Sequence, residues 1–145
     1  MARYAYVNGR FVPHTDAVVH VEDRGYQFAD GVYEVVTILG GKLVDEQGHL
    51  DRLTRSLNEL RIAWPVSPRV LKILMRRLIG MNRVTQGTIY LQITRGVAPR
   101  DFKFPKHAES SLVLITKRAG AFATPAQLQD GVKVITIPDI RWLRR

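Results

Sequence analysis

The sequence predicts an α+β fold: a two-layer antiparallel sheet packed on a helical pair, followed by the first strand of a second domain. Three observations predict it. Short β-branched runs broken by Asn8-Gly9 and Gly40-Gly41 fill the first third of the chain. Apolar residues then recur at helical spacing from Leu50 to Leu78, and period-two alternation returns at Thr88.

Tyr4–Val7, Asn8-Gly9 and Arg10–Val12 read as a hairpin, because Asn-Gly suits the type I′ turn that matches strand twist. Val18–Val21 is a further short apolar run. It precedes Glu22–Glu34, EDRGYQFADGVYE, read as a loop that carries far more charge and aromatic surface than a turn needs. Val32–Leu39, Gly40-Gly41 and Lys42–Val44 form a second hairpin fed by that loop. Leu50, Leu53, Leu57 and Leu60 then mark one apolar helix face, with Asp51, Arg55 and Glu59 turned away, and Arg61 to Pro65 ends that helix. Ser67-Pro68 supplies an N-cap and a proline at the first helical position. Val70, Leu71, Leu74 and Leu78 are the expected buried stripe of the second helix, which closes near Gly80.

Ile89, Leu91 and Ile93 alternate with Tyr90, Gln92 and Thr94, the pattern of a half-buried strand. Arg95-Gly96 breaks it, a charged and aromatic loop runs through Arg100 to Pro105, and Ser111–Thr116 is the next strand. The expected organisation is an N-terminal domain over 1–118, a linker over 119–131, and the start of a second, truncated domain over 132–145. The Val132–Ile137 strand has no partner later in the chain, hence the reading of a second domain cut short.

Composition narrows the function classes. An apolar content of 46% with 24% charged residues suits a globular protein. The absence of cysteine excludes disulfides, thiolate metal sites and cysteine nucleophiles. MARYAYVNGR meets Asn-Gly too early for a signal-peptide core, no apolar run reaches membrane-spanning length, and a cytoplasmic protein is the default. A net charge of +9 raises nucleic acid as a partner. The basic residues are scattered, however, and lack the interleaved aromatics of a single-strand binder. The expectation is no nucleic acid and no membrane. A basic, non-enzymatic binding module is the alternative from another class, and a phosphate-bearing small ligand would benefit equally from the excess charge.

Hydrolase-elbow, phosphate-loop and dinucleotide fingerprints are absent from the sequence. His14, His20, His49 and His107 never pair at metal-ligand spacing, so no metal site is expected. For His49, at a helix start beside Asp51, a capping or buried hydrogen-bonding role is the better reading.

Four motifs taken together carry a resemblance: E-D-R-G-Y-Q-F-A-D-G-V-Y-E-V-V, H-L-D-R-L, I-Y-L-Q-I-T-R-G-V-A-P-R and P-D-I-R-W-L-R. In order and spacing, over essentially the whole chain, they resemble the N-terminal part of D-amino-acid aminotransferases. These are fold-type IV, or class IV, pyridoxal-phosphate-dependent enzymes. Branched-chain aminotransferases and aminodeoxychorismate lyases share the fold and stay open as alternatives, with Val32-Tyr33-Glu34 leaning towards the D-amino-acid branch.

The resemblance implies a homodimer, pyridoxal 5′-phosphate as cofactor, a barrel-like second domain, and transfer of an amino group between a D-amino acid and a 2-oxo acid. It implies that Tyr33 hydrogen-bonds the substrate carboxylate, that Arg52 anchors the cofactor phosphate, and that Arg141 is also cofactor-binding. A guanidinium fork suits phosphate oxygens at any working pH. Arg100 would reach the partner subunit's site and pair with the substrate carboxylate. Phe102 stands where the D-amino-acid enzymes usually carry histidine, which leaves the substrate range open. Glu34 is a weaker candidate: an acid at a strand end is often merely solvated, and alternation points it opposite to Tyr33. The Schiff-base lysine is expected just past Arg145, so no catalytic lysine lies within the chain and the 145 residues alone should be inactive.

Overall fold

The computed structural model describes residues 3–119 and 125–139. A hairpin opens it: β1 (Tyr4–Val7) and β2 (Arg10–Pro13) join through Asn8 and Gly9 at φ 42° and 93°. Positive φ at both central residues is what a type I′ turn requires, and Asn and Gly tolerate it. β3 (Gly31–Leu39) turns through Gly40 and Gly41 into the two-residue β4 (Lys42–Leu43). After two helices come β5 (Gln86–Thr94) and β6 (Ser111–Arg118). The six strands form one antiparallel sheet in the order β2-β1-β6-β5-β3-β4. The expected two-layer α+β architecture is therefore present.

The helices cover one face. α2 (Glu46–Leu60) buries Leu50, Leu53 and Leu57, while Leu60, at its end, is 40% exposed. α3 (Pro68–Met81) begins as expected at Ser67, whose hydroxyl accepts from the Val70 amide. Its stripe is shifted from the one expected. Leu71, Met75, Leu78 and Ile79 are buried, whereas Val70 lies in the first turn and remains exposed. α2 packs over β3, and α3 over β1 and β6. Val36, Ile38, Ile89, Leu91, Ile93, Leu112 and Leu114 meet them from the sheet. Each such fully buried aliphatic side chain stabilises the fold by roughly 1.5–3 kcal/mol. Asn82, after α3, ties the layers: it bonds both the amide and the carbonyl of Tyr4 and the hydroxyl of Thr116.

Three local readings need correction. The Glu22–Glu34 stretch is more than a loop, because α1 (Arg24–Phe28) forms inside it. Asp23 caps α1 by accepting from the Gly25 amide at 2.8 Å, and Ala29 closes it at φ 54°. The linker contains a short helix, α4 (Pro125–Asp130). The third concerns Val132–Ile137, which forms no strand. Val132, Val134, Ile135 and Ile137 are all at least 65% exposed. Alternation marks a strand only where a neighbour receives its backbone groups and a layer covers one face, and this segment has neither.

Candidate active site

Alternation along β3 sets the site. Val32, Glu34, Val36 and Ile38 face the helices and are buried, whereas Tyr33 and Val35 face the other, open side of the sheet. Tyr33 is 65% exposed, and its ring stacks on that of Tyr90 at 5.8 Å with 24° between planes. The two are diagonal neighbours, since Tyr33 pairs with Gln92 and Val35 with Tyr90. Burial, with a smaller contribution from Tyr33, pushes the Tyr90 phenol above its ordinary pKa. The Tyr90 hydroxyl donates to Gln92 Oε1 at 2.5 Å.

Glu34 is 2% exposed, so the solvated role expected for it is wrong. A carboxylate there must find donors, and α2 brings them. Arg52 donates Nε to Oε1 at 2.7 Å and Nη2 to Oε2 at 2.5 Å. His49 Nδ1 lies 2.7 Å from Oε2 and must carry the proton, because a carboxylate only accepts. His49 and Arg52 are three residues apart on α2, on one side of the helix over β3. Burial alone would raise the Glu34 pKa. The hydrogen bonds and charges of Arg52 and His49 outweigh it and hold the carboxyl below its ordinary value. Glu34 in turn raises the Arg52 pKa, and Tyr33 is near enough to add to that effect.

Arg52 nevertheless keeps 54% of its side chain exposed, and its Nη1 makes no hydrogen bond among the described residues. Two of its nitrogens are fixed inward, and the outer edge of the fork is presented outward. Such a half-used guanidinium suits an oxyanion such as phosphate.

A second cluster surrounds Arg100. Arg24, 4% exposed at its side chain, donates Nε to Asp30 Oδ2 at 2.8 Å and Nη1 to the Asp101 carbonyl at 2.7 Å. Arg95 grips both oxygens of Asp30, at 2.7 and 3.0 Å, and also donates to the Leu60 and Arg61 carbonyls at the end of α2. Burial raises the Asp30 pKa, but Arg95 and Arg24 more than reverse it, so the net shift is downward. Arg100 itself lies over the rings of Phe28 at 5.3 Å and Phe102 at 5.4 Å. Phe102 is 81% exposed.

The structure thus joins Glu34, His49 and Arg52 across β3 and α2, while Tyr33 lies on the other face of β3 and bears on Arg52 only electrostatically. No hydrogen bond or ion pair among the described residues joins Arg100 or Phe102 to them. Arg141 lies outside the described residues. Sequence reading missed the burial of Glu34 and the roles of Arg24, Asp30 and Arg95. The available signal for Glu34 was an acid in the same strand phase as Val32, Val36 and Ile38. Among the described residues no group of three or more acidic or histidine side chains could hold a metal ion, and no helix is long and apolar enough to cross a membrane.

Known proteins share this arrangement of elements. Two D-alanine aminotransferases, from Staphylococcus aureus and Listeria innocua, are each 41% identical to the chain over 141 and 139 residues. These matches cover 96% and 95% of this chain, but the chain spans only about half of each relative, 49% and 48%. Among solved structures, a branched-chain amino acid aminotransferase from Escherichia coli superposes with a TM-score of 0.77 at 22% identity, covering 87% of this chain and 43% of that one. A 4-amino-4-deoxychorismate lyase from Pseudomonas aeruginosa gives 0.68 at 25% identity, covering 88% and 44%. A T.th. branched-chain amino acid aminotransferase, solved with pyridoxamine 5′-phosphate, gives 0.78 at 18%, covering 86% and 42%. A family model described as amino-transferase class IV matches residues 31–144, from the first residue of β3 onward. With most of its length inside that match, the chain belongs to the class IV aminotransferases.

Proposed function

We propose that this chain is the N-terminal part of a pyridoxal-phosphate-dependent transaminase acting between a D-amino acid and a 2-oxo acid. The observation that carries the reading is the Arg52 guanidinium, fixed inward by buried Glu34 and open outward, within electrostatic range of the exposed phenol of Tyr33. The likeness to D-alanine aminotransferases favours the D-amino-acid branch. Below, the whole protein means a chain of the relatives' length that begins with these residues. Its second domain would start at 132–145, after a linker over 119–131, and would cover the exposed Val132, Val134 and Ile135. The enzyme would act in the cytoplasm as a homodimer.

The residues present fit the cofactor. Arg52 would bind its phosphate through Nη1 and the second N–H of Nη2, with Glu34 and His49 holding the guanidinium plane, and Arg141 is the further cofactor-binding candidate. Bound pyridoxal phosphate would supply the carbonyl carbon that carries the amino group and the electron sink for the carbanion. Tyr33 would donate its phenol proton in a hydrogen bond to the substrate carboxylate, and Arg100 would pair with that carboxylate from the neighbouring subunit. The catalytic lysine would lie past Arg145, because Lys42, Lys72, Lys103, Lys106, Lys117 and Lys133 are none of them buried.

Phe102 favours a second reading within the fold. An exposed phenyl ring beside Arg100 makes that surface apolar, which suits the branched-chain substrates named for one of the relatives. The test is reconstitution of the whole protein with pyridoxal phosphate, followed by turnover on panels of D- and L-amino acids. Turnover of D-amino acids with a bound chromophore is expected. Turnover of L-branched substrates alone would transfer the conclusion to the second reading, and absence of both chromophore and turnover would refute the transaminase.

A further inference from the structure

We propose that Phe28 and Phe102 are positioning residues that together form a platform for Arg100 and aim its guanidinium edge at a substrate carboxylate. The proposal rests on the reading of Arg100 as the carboxylate-binding residue and explains how this chain presents it. Arg100 is exposed and has no ion pair among the described residues. A long, charged, unpaired side chain would ordinarily sample many rotamers. Here two rings hold it: its guanidinium carbon lies 5.3 Å from the centre of Phe28 and 5.4 Å from that of Phe102, and the rings are 5.8 Å apart.

The platform rests on buried charge. Arg24 lies over Phe28 at 4.7 Å, so one ring serves two guanidinium groups. Asp30 fixes Arg24, and Arg24 Nη1 holds the carbonyl of Asp101, the residue that follows Arg100. Backbone and side chain of the Arg100 segment are thus both tied to the same buried arginine. A guanidinium packed on aromatic faces leaves its N–H edges outward, and those edges are the part that recognises a planar carboxylate. Phe102 therefore does something different from a hydrogen-bond donor at that position: it orients Arg100 and adds no contact to the substrate oxygens.

The experiment uses the whole protein loaded with cofactor and titrates propionate, a carboxylate that cannot be transaminated. Arg100→Gln should weaken propionate at least about tenfold, as loss of a charge-assisted pair requires. Phe28→Leu and Phe102→Leu should each weaken it about two- to fivefold, the factor supplied by one exposed cation–π contact. Phe28→Tyr and Phe102→Tyr, which keep the ring, should retain the affinity, and this separates positioning from a folding defect. In the Arg100→Gln background the leucine changes should have no further effect. Trypsin should cut faster after Arg100 and Lys103 in the Phe28→Leu protein. If Arg100→Gln leaves propionate binding unchanged, the carboxylate reading falls and the platform with it. If Arg100→Gln weakens binding while the leucine variants match wild type, or act equally without Arg100, the platform alone is overturned.

Discussion

Glu34→Gln tests the centre of the site. The carboxylate is 2% exposed and receives three contacts, two from Arg52 and one from His49. A glutamine keeps one acceptor oxygen and replaces the other with an NH2 group that faces donors. Buried charge-assisted bonds contribute about 1.5–3 kcal/mol each. Arg52 is half exposed, so water competes and a share nearer 0.5–1 kcal/mol is appropriate for its bonds. The expected loss is about 1–3 kcal/mol, a fall of roughly 3–10 °C in the Tm of the whole protein without cofactor. Cofactor affinity should drop as well, because Arg52 keeps only one of its two fixed points. Thermal denaturation of wild type and variant across pH measures the first effect, and equilibrium titration of pyridoxal phosphate the second.

The pH dependence has a definite sign. Burial pushes the Glu34 carboxyl up, but Arg52 and His49 hold it, net, below its ordinary value. A depressed folded-state pKa contributes stability that is fully present above the unfolded glutamate value and is lost as pH falls through the folded one. The gap between wild type and Glu34→Gln should therefore be full at neutral pH and shrink on acidification below the usual carboxylate range. Equal stability at neutral pH, or a gap that widens in acid, would refute the reasoning.

Arg52→Ala should weaken pyridoxal phosphate by a few kcal/mol and also lower the apo Tm, because Glu34 stays buried with His49 alone; additive losses in the Glu34→Gln, Arg52→Ala double variant would show that the two do not act together. Asp30→Asn should cost about 2–4 kcal/mol, since Arg24 and Arg95 both lose their acid, and urea unfolding checks it. Asp30 is likewise held below its ordinary value, so this cost too should fade in acid. The 145-residue chain treated with pyridoxal phosphate and borohydride should show sparse labelling over its six lysines, none of them buried; one lysine labelled at full stoichiometry with turnover would overturn the placement of the catalytic lysine beyond Arg145.

Local chemistry made most of the fold legible. Asn8-Gly9 and Gly40-Gly41 encode their turns in two residues, Ser67-Pro68 encodes a helix start, and the leucine spacing of α2 encodes its buried face. What stayed hidden depends on distant partners. α1 is five residues long, too short for periodicity, and its surroundings are fixed by Thr94 on Asp23 and by Arg95 on Asp30, 71 and 65 residues away in sequence. Val132–Ile137 fails in the opposite way: it has the strand pattern and lacks the neighbour that would make it a strand. For Glu34 the direction was legible and the burial was not, because His49 and Arg52 arrive on a helix that begins after β4.

Both halves of the β3 site hang on one register. Tyr33 and Glu34 are adjacent, so a slip of one residue would bury the phenol and expose the carboxylate, removing substrate contact and phosphate support together. β3 and β5 are paired at nine positions, with Tyr33 opposite Gln92 and Glu34 opposite Leu91. Glycine fixes one end of that pairing, at Gly31, and one end of the adjoining β5–β6 pairing, at Gly87. A Cβ at Gly31 would lie 2.7 Å from the Ile93 carbonyl oxygen, and one at Gly87 would lie 2.0 Å from that of Lys117. A slipped β3 register would set a side-chain-bearing residue against the close approach at Gly31, so the correct pairing is selected sterically as well as by the apolar phase of Val32, Val36 and Ile38. A loop could present the same residue types, but with no ladder to hold adjacent side chains on opposite faces. Placing them on a strand one position in from the sheet edge, beside the two-residue β4, gives that separation while leaving both groups within reach of ligands.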